Sequence, residues 1–312
     1  MPQKRANIKE FLLMGFPEDW MLQKLYAALF FLIYLTALMG NLVIVTLTTI
    51  DRHLQAPMYF FLKNLSLIDT CYISVTVPKS IMNSLTNSGS ISFLGCASQV
   101  FLVIFFGGTE FALLTVMSYD RYAAICHPLH YETIMNRGAC VQIVAVSWLS
   151  GCGYGSIHVA GTFSVNFCGP NVVHQFFCDI PSLLTLACSG EHILEHAFII
   201  ASCCFAFICF ILMVVSYVHI FSSVLRIPST QGRYKTVSTC MPHLTVVTLF
   251  LSSGFTAYLG SASESPSSVN LFMSVLYSLL PPTLNPVIYS LRNRNMKVAL
   301  SKIFGGEMAS KM

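Results

Sequence analysis

The sequence contains few charged residues. Asp, Glu, Lys and Arg together make up 10% of the 312 residues, whereas hydrophobic residues make up 55%. Because a soluble domain carries about 25% charged residues, the composition excludes an ordinary soluble protein and indicates a chain solvated mainly by lipid. The net charge of +4 is spread over short loops, so we do not expect nucleic acid as a partner.

Long polar segments are also missing. A helix needs about 20 mostly apolar residues to cross the hydrocarbon core of a bilayer, and the gap from Ser164 to His192 is too short for a soluble domain. Seven runs are long enough: Leu25–Leu47, Met58–Val77, Phe93–Met117, Ala139–Phe163, Ile193–Val224, Val237–Leu259 and Leu271–Ser290. We predict an all-α membrane protein, with a seven-helix transmembrane domain at 25–290 between an extracellular segment 1–24 and a cytoplasmic tail 291–312. Basic and apolar residues alternate over 291–300, which predicts a short amphipathic helix on the membrane surface.

The sequence opens on polar residues without a cleavage site, so we expect the first span to act as an uncleaved signal anchor. Most basic residues fall on one side of the predicted spans, and the side rich in Lys and Arg is normally cytoplasmic. That side holds Arg52, Lys63, Arg121, Arg137, Arg226, Arg233, Lys235, Arg292, Arg294, Lys297, Lys302 and Lys311, against Lys4, Arg5, Lys9, Lys24 and Lys79 on the other. We therefore predict an N-terminus outside the cell and a C-terminus inside.

Four of the twelve cysteines lie on the predicted outer side. Cys96 opens the third span, and Cys168, Cys178 and Cys188 follow the fourth. The outer face is oxidising, so disulfides are expected there, and four cysteines leave three pairings open. The other eight lie in spans or near the inner face and are expected to stay unpaired.

Several kinds of protein are disfavoured by missing features. Residues 268–290 contain no lysine, which excludes a retinal Schiff base in the last span. Internal repeats and a continuous polar pathway are not visible, although a transporter or channel remains the alternative outside the receptors. His192 and His196 fit the spacing of a zinc-protease motif but have no evident third ligand, so we predict neither a metal site nor an enzyme.

Charged residues inside the spans are the main functional candidates, because charge in a bilayer is costly. Asp120 and Arg121 stand at the inner end of the third span. Either they form an ion pair that is closed in one state of the protein and open in another, or Arg121 extends its charged group to the membrane surface beside Asp120. Glu110 lies deeper in the same span, and its partner is not evident from the sequence.

A polar group recurs at one depth in three other spans. Gly40-Asn41 of the first, Asp69 of the second and Asn285 of the seventh, next to Pro286, are predicted to form one buried network. Buried polar groups need partners, so water or a sodium ion near Asp69 would complete the set. We expect no other cofactor.

Motifs along the chain resemble those of odorant receptors, a subfamily of the rhodopsin-class G-protein-coupled receptors. They are the runs 57–62, 117–128, 235–240 with His243-Leu244, and 286–293, together with Phe167–Asn171 and Phe176–Asp179 of the long outer loop. The resemblance covers about residues 10–303. Two departures are the missing N-terminal glycosylation sequon at Asn7-Ile8-Lys9 and the triplet Phe250-Leu251-Ser252 in the sixth span.

The resemblance implies roles for individual residues. It implies that Asp120 and Arg121 form an inner latch that opens when a G protein docks, and it pairs Cys96 with Cys178 and Cys168 with Cys188. The other implied switch positions are Tyr122, Tyr217, His243, Asn285, Pro286 and Tyr289. It further implies a plasma-membrane receptor that binds small volatile molecules and activates a stimulatory, olfactory-type G protein to raise cyclic AMP. A non-olfactory chemosensory receptor is the alternative.

Helical spacing and the resemblance together predict a ligand cavity. Counting about four and five turns outward from Arg121 reaches Gly107 and Val103, with Ile104 and Gly108 alongside. The resemblance adds Ser202, Phe205, Gly254, Tyr258 and Ser278, of which we favour Tyr258 most. Such a lining is mostly apolar with a few hydroxyls, which suits small, weakly polar molecules, although ordinary helix packing is the alternative for most of these residues.

Overall fold

The computed structural model describes residues 9–14, 19–86, 88–168, 170–188, 193–261 and 268–304. Within this part, ten helices follow one another along the chain. They are α1 Trp20–Ile50, α2 Pro57–Thr86, α3 Phe93–Cys126, α4 Tyr131–Ile134, α5 Arg137–Ser164, α6 Ile180–Leu184, α7 Ile193–Leu225, α8 Thr230–Ser261, α9 Ser268–Arg292 and α10 Arg294–Phe304. A 3-10 turn at Pro128–His130 connects α3 to α4.

Seven long helices, α1, α2, α3, α5, α7, α8 and α9, pack into one bundle around α3, which contacts α2, α5, α7 and α8. Six helices of the described part are long and apolar enough to cross a membrane. The remaining predicted span, Val237–Leu259, lies within helix α8. The all-α, seven-helix fold predicted from the sequence is confirmed.

The helices extend beyond the predicted spans. Helix α1 begins at Trp20, because the Asp19 carboxylate accepts hydrogen bonds from the N–H groups of Met21 and Leu22 and caps the helix. Helix α3 continues past Met117 to Cys126. The amphipathic helix α10 begins at Arg294 rather than at 291. Apolar runs mark only the part of a helix that lipid surrounds, so they underestimate its length.

A small sheet covers one end of the bundle, a feature that the sequence analysis missed. Strand β1 (Glu10–Leu13) lies in the middle, antiparallel to β2 (Ser90–Ser92) and parallel to β3 (Val172–Val173). Phe11 of β1 is fully buried and its ring packs against Phe93 and Phe167. We call this end of the bundle the disulfide end, since both disulfides described below lie there, and the opposite end the Arg121 end.

Two glycines allow the helices to approach closely. A Cβ atom on Gly151 of α5 would lie 2.7 Å from the carbonyl oxygen of Phe105 in α3. A Cβ atom on Gly40 of α1 would lie 3.0 Å from Cβ of Pro286 in α9. Larger side chains at either position would push the helices apart, so the glycines fix the spacing of α3 from α5 and of α1 from α9.

Candidate ligand cavity and Arg121 switch

Two disulfides hold the long loop between α5 and α7 over the bundle. Cys96 at the start of α3 is bonded to Cys178, and Cys168 to Cys188. Of the three pairings that the sequence left open, this is the one that the resemblance implied. The loop is also tied by Gln99 of α3, whose Oε1 accepts from the Cys178 N–H at 2.9 Å.

The segment of this loop from Val173 to Cys178 enters the mouth of the bundle. Phe176 packs edge-on against Phe30 of α1, and Phe177 lies beside Tyr277 of α9 with ring centroids 6.3 Å apart. The sequence analysis used Phe176 and Phe177 only as part of a motif. Their adjacency to a disulfide cysteine was the signal that the segment is buried.

Two of the glycines that were predicted to line the cavity have open space beside them. A Cβ atom placed on Gly107 of α3 meets no atom within 4 Å, and the same holds for Gly254 of α8. Both glycines are half-buried, and a side chain added at either position would meet open space. Val103, one turn from Gly107, is buried in the main core, whereas Ile104 packs with the cluster at the disulfide end.

Gly108 was predicted to face the cavity, and this is wrong. A Cβ atom there would lie 2.9 Å from Cδ1 of Tyr154 and 3.7 Å from Cα of Gly151, so Gly108 packs against α5. Successive residues on a helix point about 100° apart, and this rotation separates Gly108 from Gly107. The Tyr154 ring in turn lies 5.5 Å from that of Phe205 on α7.

The remaining cavity predictions lie on three helices. Ser278 of α9 is fully buried, and its hydroxyl donates to the carbonyl of Val275 within the same helix at 3.2 Å. Ser202 lies on α7 and Tyr258 on α8, but their side chains lie outside the described part of the structure. The side chains of His192 and His196 lie outside it as well.

The buried polar network is centred on Asn285 of α9. Its Nδ2 donates to Oδ2 of Asp69 at 3.0 Å and to Oε1 of Glu110 at 3.3 Å. The partner of Glu110, which the sequence did not reveal, is thus the same amide. Asn41 is not bonded directly to Asp69, as its Nδ2 donates instead to the carbonyls of Ala37 and Pro282.

This network has more acceptors than donors. Among the described residues, Oδ1 of Asn41, Oδ1 of Asp69 and Oδ1 of Asn285 are buried without a hydrogen-bond partner. Two carboxylates that share one amide repel each other when both are ionised. The arrangement suits a small cation, for which oxygen atoms are the preferred ligands.

At the Arg121 end, the acid and the base form an ion pair. Nη2 of Arg121 lies 2.7 Å from Oδ2 of Asp120, and the hydroxyl of Tyr131 donates to the other carboxylate oxygen at 2.7 Å. Asp120 is 1% exposed, so this pair is not a snorkelling arginine in water. Burial and the neighbouring Asp120 raise the pKa of Tyr131, which keeps the phenol protonated and able to donate.

A second bridge joins three helices through His243 of α8. Its Nε2 lies 2.9 Å from the carbonyl oxygen of Leu114 in α3, and its Nδ1 lies 2.7 Å from the hydroxyl of Tyr217 in α7. Because a carbonyl only accepts, Nε2 carries the proton, and Nδ1 of the neutral ring accepts from Tyr217. The buried hydroxyl of Tyr289 in α9 has no hydrogen-bond partner in the described part of the chain.

Comparisons with known proteins identify the family of this chain. A family model described as olfactory receptor matches residues 30–306. The chain belongs to the olfactory receptor family. Olfactory receptor 14A16 from Homo sapiens is 57% identical over 304 residues, which cover 97% of this chain and 98% of that protein. Olfactory receptor 14L1 from Homo sapiens is 55% identical over 301 residues, with 96% of this chain and 93% of that protein covered.

The fold of this olfactory receptor is similar to that of squid rhodopsin. The crystal structure of that protein superposes with a TM-score of 0.74 at 17% identity and covers 93% of this chain and 87% of its own. The family and the fold together identify an odorant-sensing G-protein-coupled receptor, a multi-pass membrane protein that is not an enzyme. They decide against the transporter or channel that the sequence had left as an alternative.

The last implied switch positions of the receptor lie around the two bridges. The hydroxyl of Tyr122 lies 2.9 Å from Nε2 of His127, and its ring contacts His219 of α7. Pro286 lies against Gly40 of α1. The sequence analysis missed Tyr131, whose hydroxyl donates to Asp120; its place shortly after the 117–128 motif was the available signal.

Proposed function

We propose that this receptor binds small, volatile, weakly polar molecules between α3, α7 and α8, and that it activates a stimulatory, olfactory-type G protein to raise cyclic AMP. The observation that carries the proposal is the bridge through His243. It joins the same three helices that contribute Gly107, Phe205 and Gly254 to the predicted cavity. A ligand that changes the spacing of these helices therefore acts on the bridge directly.

The proposed mechanism is a shift between two states. A ligand favours the active state only by its greater affinity for that state. In the state described here, Arg121 is held by Asp120, and Tyr217 is held by His243. Movement of α8 away from α3 breaks the His243–Leu114 bond, and the unpartnered hydroxyl of Tyr289 is a ready new partner for released groups. Arg121 then contacts the G protein.

We also propose that the receptor resides in the plasma membrane with its disulfide end outside the cell. Disulfides form in oxidising compartments, and most Lys and Arg residues fall on the loops of the Arg121 end, which supports a cytoplasmic location for that end. The N-terminus is then extracellular and the C-terminus cytoplasmic. Membrane lipid surrounds the bundle.

A sodium ion is the one ion that we propose as a bound cofactor. The free Oδ1 atoms of Asp69, Asn285 and Asn41, close to Glu110, support this proposal. Such an ion would neutralise the two carboxylates in the state described here. We therefore expect sodium to lower basal activity, an effect that Asp69→Asn weakens.

The test of the proposed function is cyclic AMP output from cells that co-express the receptor and an olfactory-type G protein. The cells are challenged with a chemically broad odorant panel while surface protein is measured by staining. We expect a dose-dependent response that Arg121→Ala abolishes at unchanged surface level. A response that survives Arg121→Ala, or silence to the whole panel at good surface expression, would contradict the proposal.

A further inference from the structure

The segment Val173–Cys178 carries a buried amide oxygen that the described residues leave without a partner. Gln175 is 4% exposed, and its Oε1 has no hydrogen-bond partner in the part of the chain that the structure describes. An unsatisfied buried polar atom costs about 1–3 kcal/mol, so water or a ligand is expected to meet it. Its neighbours Phe176 and Phe177 contact α1 and α9, which places it on that side of the bundle mouth.

Helix α2 presents two further groups of this kind at the disulfide end. Oγ of Ser80 and Oδ1 of Asn83 are buried, and neither has a hydrogen-bond partner within the described residues. Elsewhere in α2, the hydroxyls of Thr70 and Ser74 donate to the carbonyl four residues earlier. The free hydroxyl of Ser80 is therefore not a general property of this helix. Since residues three apart share a helix face, Ser80 and Asn83 lie side by side.

The amide of Gln99 connects the loop to α2. Its Nε2 donates to the carbonyl of Val75 at 3.0 Å, while its Oε1 accepts from the N–H of Cys178. Ser80 lies ~7.5 Å along α2 from Val75, at 1.5 Å per residue. Through Gln99, the loop segment is therefore tied to α2 about one and a half turns before Ser80.

We propose that Gln175, Ser80 and Asn83 form a second binding site, the vestibule, for a small neutral molecule with a hydroxyl group. The free amide oxygens accept hydrogen bonds, and the serine hydroxyl both donates and accepts. A ligand hydroxyl matches this set because it also does both, whereas an ether oxygen only accepts. The vestibule lies towards α1, α2 and α9, apart from the cavity between α3, α7 and α8.

The vestibule deepens the proposed odorant-binding function and rests on it, because it makes the receptor selective for hydroxyl-bearing molecules at the mouth of the bundle. The first experiment nevertheless avoids signalling altogether. Thermal unfolding of the purified receptor is followed with a straight-chain primary alcohol or with the methyl ether of equal length. We expect the alcohol to raise the melting temperature more than the ether does, and Gln175→Leu to remove this difference.

Gln99 provides a matched control, because it is also a buried glutamine but both ends of its amide are hydrogen-bonded. Without ligand, Gln99→Leu removes both bonds, leaves the buried Cys178 N–H without its partner and lowers the melting temperature. Gln175→Leu removes a buried amide oxygen that has no hydrogen-bond partner among the described residues, so the empty variant melts at or above the wild-type temperature. Equal losses of stability in the two variants would show that Gln175 is structural and would overturn the proposal.

A double-mutant cycle tests whether the residues act in one site. Ser80→Ala and Gln175→Leu are each expected to weaken the response to alcohols about five- to tenfold, the loss of one hydrogen bond, and to leave ether responses unchanged. In combination their effects fall short of additivity, as for residues that share a partner. Equal stabilisation of the wild type by alcohol and ether overturns the vestibule. An alcohol-specific stabilisation without any cyclic AMP response supports the vestibule and contradicts the proposed signalling function.

Discussion

The hydroxyl of Tyr131 offers a sharp test of the switch at the Arg121 end. It donates to Oδ1 of Asp120 at 2.7 Å, while Arg121 occupies the other carboxylate oxygen. Tyr131→Phe removes only this hydroxyl. Because Asp120 is buried, water does not readily replace the lost donor. The substitution therefore destabilises the inactive state, in which Asp120 and Arg121 are paired, and leaves the cavity unchanged.

The size of the effect follows from the strength of the bond. A hydrogen bond to a charged group contributes about 1.5–3 kcal/mol, and every 1.4 kcal/mol is tenfold in an equilibrium constant. If the active state lacks this bond, the ratio of active to inactive receptor rises at least about tenfold. For a receptor that is mostly inactive at rest, basal cyclic AMP rises by a similar factor until the maximum response limits it.

The assay measures basal cyclic AMP per surface receptor without odorant. Tyr119→Phe is the matched control, since Tyr119 lies on the same helix as Asp120 but its side chain is 44% exposed. We expect this control to signal like the wild type. Unchanged basal activity in Tyr131→Phe at equal surface level would refute the idea that the Tyr131–Asp120 bond holds the inactive state.

Three further predictions concern the disulfide end and the cavity. Gly107→Ala fills open space and is expected to alter the odorant profile at unchanged surface level, whereas Gly108→Ala presses on the Tyr154 ring of α5 and is expected to lower stability. Thermal unfolding and dose–response curves compare the two variants, and the opposite pattern would contradict the assigned orientations of the two glycines. The Cys96–Cys178 disulfide links residues 82 positions apart, and the Cys168–Cys188 disulfide links residues 20 positions apart. Their loss corresponds to about 4.5 and about 3.3 kcal/mol of chain entropy, respectively. Surface staining should therefore fall further for Cys178→Ser than for Cys188→Ser. Burial raises the pKa of Asp179 in the loop from 3.8 to about 6, so the receptor loses stability as pH rises between these values and Asp179 must ionise. Melting temperatures measured against pH should show that Asp179→Asn flattens this dependence and is more stable than the wild type at neutral pH.

Features that depend on local pattern were predictable from the sequence. The seven apolar runs identified the helices, and the resemblance supplied the two disulfides and the Asp120–Arg121 pair. The side of a helix on which a residue lies was harder to predict, because a count of turns from Arg121 does not distinguish the neighbours Gly107 and Gly108. Asn41 bonds to the backbone of α9 rather than to Asp69, and no side-chain pattern marks a backbone partner.

Long-range pairing was beyond the sequence for a different reason. The strands β1, β2 and β3 have four, three and two residues, too few for an alternating pattern to stand out. Tyr131 lay outside every apolar run, so only the folded chain shows that it reaches Asp120. In both cases the partners are brought together by helices that the sequence places correctly but does not orient.

The place of β1 in the middle of its sheet constrains the order in which the receptor is assembled. Its partners are Ser90–Ser92 and Val172–Val173. Strand β1 can therefore pair with β2 after two long helices have been made, whereas its other edge stays unpaired until the first four long helices and part of the following loop have been made. During this interval the main-chain groups of that edge and the Phe11 side chain are open to capture by other chains or by chaperones. We therefore expect retention during biosynthesis to depend strongly on this short segment.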